Sequence, residues 1–126
     1  MSWQQYVDGS LVGSGHVTKA AIVGKDGSIW AKTEGWVIEN DTVALAQTMA
    51  QDAEAVRSKG ITLEGAKYFT IAFDDGNFYG KQGPNGLSLA MSDQAIVVGF
   101  HSENITPANC RMTVEGIKDY LKGVGY

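Results

Sequence analysis

From residue 66 to residue 101 four apolar runs follow one another with almost nothing between them. They are 66–73 (AKYFTIAF), 77–81 (NFYGK), 86–91 (GLSLAM) and 94–101 (QAIVVGFH). The joins are Asp75 with Gly76, then Pro84, Asn85 and Gly86, then Ser92 with Asp93, all residue types that favour tight turns. Parallel neighbours need a crossover of about a dozen residues or more, so joins this short force antiparallel pairing. An antiparallel meander is therefore the frame that the rest of the chain must fit.

The remaining elements supply its cover. Residues 2–12 predict a helix: Ser2 with Gln5 makes a capping box, and Trp3, Tyr6, Val7 and Leu11 fall at helical spacing. Gly13, Ser14 and Gly15 end it. Residues 17–24 and 28–32 predict a hairpin turning at Lys25, Asp26 and Gly27. Residues 42–58 predict one helix, capped by Asp41 or Thr42 and followed by Gly60, and residues 61–64 a single helical turn. Thr106 and Pro107 open the last helix, whose buried stripe is Cys110, Val114, Ile117 and Leu121 and whose end is Gly123. One antiparallel sheet with helices on its faces buries every apolar stripe, so the fold class is α+β. At 126 residues, 44% of them hydrophobic, the chain suits one domain over 1–126 with a substantial core.

Cys110 is the one cysteine, so no internal disulfide forms, and residues 1–10 have neither a basic region nor an apolar run. These features predict a reducing, cytoplasmic setting. No stretch approaches the roughly 20 apolar residues of a membrane-spanning helix. A net charge of −4 argues against nucleic acid as a partner and favours a monomer.

No constellation for catalysis stands out. Cys110 with His16 or His101 is a nominal nucleophile and base, but Cys110 lies on the core stripe of the last helix, where a thiol packs as a small hydrophobe. Two histidines and one cysteine, widely scattered, do not make a zinc set. Asp74, Asp75, Gly76 and Asn77 have calcium-loop residue types, but Asn85 stands where the twelfth-position Glu belongs. Thr18 stands where a dinucleotide loop begun at Gly13 needs its third glycine. The sequence thus predicts no catalytic residues, no metal and no cofactor.

The aromatic residues are the unusual feature. Trp3 and Tyr6 lie one helical turn apart, Tyr120 and Tyr126 lie at the other end of the chain, and Trp30 sits within the first hairpin. Core packing is the ordinary role for each. Val7 and Leu11 suffice to hold the first helix, however, and residues at chain extremes fray unless docked. If the first and last helices pack side by side, the rings form a shallow aromatic surface suited to polyproline II. That helix is preformed, and its carbonyls are free to accept from Trp N–H and Tyr O–H groups.

These same residues carry a family resemblance. The start, SWQQYVDGSLVGSGHVTKAAIVGKDGSIWA, and the later YGKQGPNG and QAIVVGFHSENITPANCRMTVEGIKDYLKGVGY resemble the profilins over essentially the whole chain. The resemblance implies a central antiparallel sheet with the first and last helices on one face and shorter helices on the other. It implies monomeric actin, proline-rich segments of actin assembly factors and phosphoinositide headgroups as partners, within the actin cytoskeleton. Carried onto this chain, the polyproline face comprises Trp3, Tyr6, Trp30, Tyr120, Leu121 and Tyr126, and the actin face comprises Lys81, Leu87, Leu89, Met91 and Arg111. Many similar profilins carry a lysine pair after the glycine turn, but residues 87–92 (LSLAMS) have none. Weak phosphoinositide binding is therefore expected. A scaffold or dimerisation domain of the longin or roadblock kind is the alternative reading, with its aromatics in the core or at a dimer interface.

Overall fold

The structure is a computed structural model and describes residues 2–126. The capping box forms: the Ser2 hydroxyl accepts from Gln5 N–H and the Gln5 side chain accepts from Ser2 N–H at 2.8 Å. The helix it starts, α1 (Trp3–Gln5), continues as a π-helical stretch, Tyr6–Leu11, and a 3-10 turn, Val12–Ser14. Val7 and Leu11 are both fully buried along it. The hairpin β1 (Lys19–Gly24) and β2 (Ile29–Lys32) follows.

The helix expected over 42–58 is broken. Asp52 leaves helical geometry at φ −139° and its carboxylate accepts from Ala55 N–H at 3.1 Å, so α2 (Thr42–Gln51) stops and α3 (Ala53–Lys59) starts on a new cap. The helical turn expected over 61–64 is instead a strand, β3 (Ile61–Leu63), paired with β4 (Ala66–Asp74). Glu64 and Gly65, at φ 54° and 73°, supply the left-handed turn between them. Ile61 and Leu63 are buried and Thr62 is exposed, the period of a strand.

The meander appears as β5 (Asn77–Gln82), β6 (Asn85–Met91) and β7 (Ala95–His101). Gln82 pairs with Asn85, so its second turn is Gly83 and Pro84, and Asn85 and Gly86 belong to the strand. The sheet has seven antiparallel strands in the order β2-β1-β7-β6-β5-β4-β3, with β1 against β7 joining the two ends of the chain. The last helix, α4 (Pro107–Gly123), buries Cys110, Val114, Lys118 and Leu121. Ile117, expected in that stripe, is half-buried beside it.

Strand alternation divides the core between two faces. Ala20, Ile22, Ala90 and Val97 pack against Val7, Leu11, Cys110, Val114 and Leu121 of the first and last helical segments. Ala21, Val23, Phe78, Leu87, Leu89, Ile96 and Val98 pack against Leu45, Ala46, Met49 and Val56 of α2 and α3. Among the described residues no helix is long and apolar enough to cross a membrane.

Candidate functional site

The first-and-last-helix face brings the five expected rings together. Trp3 is the hub. Its ring centroid lies 4.8 Å from Trp30, 4.9 Å from Tyr126 and 5.9 Å from Tyr6. Tyr6 lies 5.9 Å from Tyr120, and Trp30 lies 6.2 Å from Tyr126. The tilted and edge-on geometries are those aromatic pairs prefer. Trp3, Tyr6 and Trp30 keep part of their surface exposed, and Tyr120 is 51% exposed. Trp3, Tyr6 and Tyr126 line an open groove of about 310 Å³ together with Ser2, Leu121 and Val124. Leu121, named with the rings, is 1% exposed and serves as the floor beneath them, since its side chain is committed to the core. A hydrogen bond with Tyr120, then burial, holds the Tyr6 phenol above the usual tyrosine range.

Local contacts place the rings of the first helical segment. The capping box starts the helix that carries Trp3 and Tyr6. Gln4 adds a tie to the hairpin, its amide donating to the Lys32 carbonyl at 2.8 Å. Trp36, the third tryptophan, is separate: it is buried on the opposite face and its indole N–H donates to Glu64 Oε1 at 3.3 Å.

The residues named for a second face do not stay together. Leu87 and Leu89 are fully buried under α2 and α3, so neither offers a contact surface. Both sides of β6 are covered, since Ser88 and Ala90, which alternate to the other side, are also fully buried. Met91 is half-buried and packs on the same core as Leu89. Lys81 and Arg111 do lie on one face. The Arg111 guanidinium sits 5.5 Å from the centre of the Tyr79 ring, and Lys81 is two residues along the same strand.

Around them is exposed apolar surface that the sequence did not reveal. Phe69, directly opposite Lys81, is 62% exposed. Ile71, the extra residue of a bulge between Thr70 and Ala72, is also 62% exposed, and Met112 is 73% exposed. Residues 66–73 are too evenly apolar for periodicity to show which side faces out. This patch lies by the start of α4 and toward the β3 edge of the sheet. The aromatic groove lies by the end of α4 and at the β2 edge. Arg111 and Tyr120 are nine helical positions apart, about 14 Å along the axis.

Of the side chains considered for catalysis, Cys110 and His101 are engaged in the interior. Burial pushes the Cys110 thiol up to about 12, and its sulfur faces the Gly99 carbonyl at 3.9 Å. The His101 ring is buried beside Tyr79, with Nε2 2.8 Å from the phenol oxygen and Nδ1 2.8 Å from the Ser102 carbonyl. His16 is exposed on the loop before β1.

Comparison with known proteins gives the family and the fold. The profilin family model matches residues 1–126. Profilin-2 of Acanthamoeba castellanii is 43% identical over 126 residues, with 100% of both chains covered. The crystal structure of Acanthamoeba castellanii profilin II superposes with a TM-score of 0.92 at 44% identity, covering 99% of this chain and 100% of that one. Mouse profilin IIa, solved in complex with a double repeat from the FH1 domain of mDia1, shares the fold with a TM-score of 0.85 at 23% identity, covering 100% of each chain. With its sheet order, its paired first and last helices and its whole length matched, this chain belongs to the profilin family.

Proposed function

We propose that this chain binds monomeric actin, docks proline-rich segments of actin assembly factors on its aromatic face, and so delivers actin to growing filaments in the cytoplasm. The observation that carries the reading is the unbroken series of ring contacts from Tyr120 through Tyr6 and Trp3 to Trp30 and Tyr126. Pyrrolidine rings stack on such a surface, and a polyproline II ligand loses little ordering entropy on docking. The mouse protein of the same fold holds its FH1 double repeat as a precedent for a peptide ligand.

The actin half rests on family membership and on the patch around Lys81 and Arg111. Phe69, Ile71 and Met112 supply its apolar area, and the two cations supply orientation and partner choice. Phosphoinositide binding by this chain is weak, because the 87–92 stretch carries no lysine.

Two titrations test the proposal. A proline decamer gives a saturable change in tryptophan fluorescence that Trp3→Ala removes. Separately, the protein slows spontaneous actin polymerisation, and Lys81→Glu or Arg111→Glu relieves that effect while leaving decamer binding intact. No fluorescence change at millimolar decamer overturns the peptide half. Charge reversals without effect on actin overturn the placement of the actin face.

A further inference from the structure

Tyr126 is held from outside the groove. The turn between β6 and β7 reaches the last two residues through three hydrogen bonds. The Gln94 backbone N–H donates to the Tyr126 carbonyl at 2.5 Å, and the Ser92 hydroxyl donates to the same oxygen at 2.9 Å. The Gln94 side-chain amide donates to the Gly125 carbonyl at 3.0 Å. A further bond, from Tyr126 N–H to the Leu121 carbonyl at 2.8 Å, folds the segment back onto α4. Gly125 makes that reversal at φ 93°.

Neither Ser92 nor Gln94 lines the groove, which is bounded by Ser2, Trp3, Tyr6, Leu121, Val124 and Tyr126. Their effect on a ligand must therefore pass through Tyr126. Residues beyond the end of a helix fray unless tied down. A ring that has to be ordered when the ligand arrives subtracts that ordering from the affinity, whereas a pre-ordered ring does not. We infer that Ser92 and Gln94 are positioning residues of the peptide face. They clamp Gly125 and Tyr126 so that the Tyr126 ring stands edge-on to Trp3 before any peptide binds. The inference rests on the peptide-docking reading above.

Gln94 is the cleaner handle. It is exposed, and among the described residues its side chain makes one hydrogen bond, to Gly125. Ser92 is buried and also accepts from Ala95 N–H at 3.1 Å, so it supports the turn itself.

The test is a double-mutant cycle read by proline-decamer titration. Gln94→Met keeps length and neutrality but removes the donor. It weakens decamer binding by about three- to tenfold, the range for one lost hydrogen bond, with the melting temperature nearly unchanged. It also reduces the near-ultraviolet circular dichroism of the free protein, where the packed rings absorb. Tyr126→Ala weakens binding by itself, and adding Gln94→Met to it causes no further loss, because the ring that Gln94 positions is gone. Undiminished binding by Gln94→Met, or losses that add in the double variant, overturn the clamp while the peptide face stands. A wild-type protein that binds no decamer sinks the face and the clamp together.

Discussion

The indole of Trp3 and the phenol ring of Tyr126 meet edge-on with their centroids 4.9 Å apart. One belongs to the first helical segment and the other follows the last helix, so the contact exists because β1 pairs with β7 and brings both ends of the chain to one face. Trp30 completes the cluster from the edge strand. The surface is thus a product of the whole topology and of no single motif.

Replacing Trp3 should remove most of the peptide affinity. Buried aromatic anchors at the centre of a contact dominate binding, with losses of about 2 kcal/mol or more on truncation to alanine. Trp3→Ala is expected to weaken proline-decamer binding by at least about thirtyfold, and Tyr120→Ala, at the more exposed rim, by less. Isothermal titration of both variants checks the order, and equal losses contradict the hub role of Trp3.

The two faces should separate by mutation. Phe69→Ala is expected to reduce inhibition of actin polymerisation while leaving decamer affinity unchanged. Leu89→Ala is expected to act differently, because Leu89 is core. It should lower unfolding stability by about 2–5 kcal/mol. Urea unfolding beside polymerisation and peptide assays distinguishes the cases. A Leu89→Ala protein of wild-type stability contradicts its assignment to the core.

The Tyr79–His101 pair predicts a stability loss with a known cause. His101 Nδ1 faces the Ser102 carbonyl and must donate to it, which leaves Nε2 to accept from the Tyr79 hydroxyl. Tyr79→Phe orphans that nitrogen and should cost about 1–3 kcal/mol. Gly86→Ala should also destabilise, since a β-carbon there runs into His101 Nε2 and the Tyr79 hydroxyl. Thermal melts of both variants test this, and melting temperatures equal to wild type contradict it.

Cys110 sets an alkaline limit. Burial raises its thiol to about 12 in the folded protein, while the unfolded thiol ionises near its ordinary 9.0. Above that lower value the unfolded state has released a proton that the native state keeps, so stability falls as pH rises. Below it the two states are equally protonated and this contribution is flat. Wild-type unfolding free energy should therefore decline between about pH 9 and 10 more steeply than that of Cys110→Ala. Thiol reagents should label Cys110 on unfolding and not before, and rapid labelling of the native protein contradicts its burial.

Lipid binding should be weak. Each Lys or Arg near an anionic membrane contributes about 1 kcal/mol, and the stretch 87–92 contributes none. Sedimentation with vesicles containing phosphatidylinositol bisphosphate should retain little protein, with retention falling further as salt rises. Strong retention at physiological salt contradicts the expectation.

Much of this architecture is legible in the sequence where local chemistry is decisive. Short turns around Gly76 and Ser92 dictate the meander, Ser2 with Gln5 dictates the first cap, and Thr106 with Pro107 dictates the last helix. Elements decided by distant partners are not legible. Ile61 to Leu63 pair with residues 66–68 through a left-handed turn at Glu64, which does not favour that conformation by itself. Asp52 breaks a helix that composition alone would continue. Most of the aromatic set is legible because Trp3, Tyr6, Tyr120 and Tyr126 cluster near the two ends of the sequence, where core packing does not require them. The second face is not, because the burial of Leu87 and Leu89 follows from helices covering both sides of β6, which the run 86–91 does not show by itself.

The most direct test of the central claim is a proton–nitrogen spectrum of the three tryptophan indoles during titration with a proline decamer. Trp3 and Trp30 lie in the ring cluster, and Trp36 is buried on the opposite side of the sheet with its indole N–H bonded to Glu64. The account predicts saturable shifts of the Trp3 and Trp30 indole signals at a common dissociation constant, with the Trp36 signal unmoved. Shifts confined to Trp36, or no shift of Trp3 at saturating peptide, would contradict it.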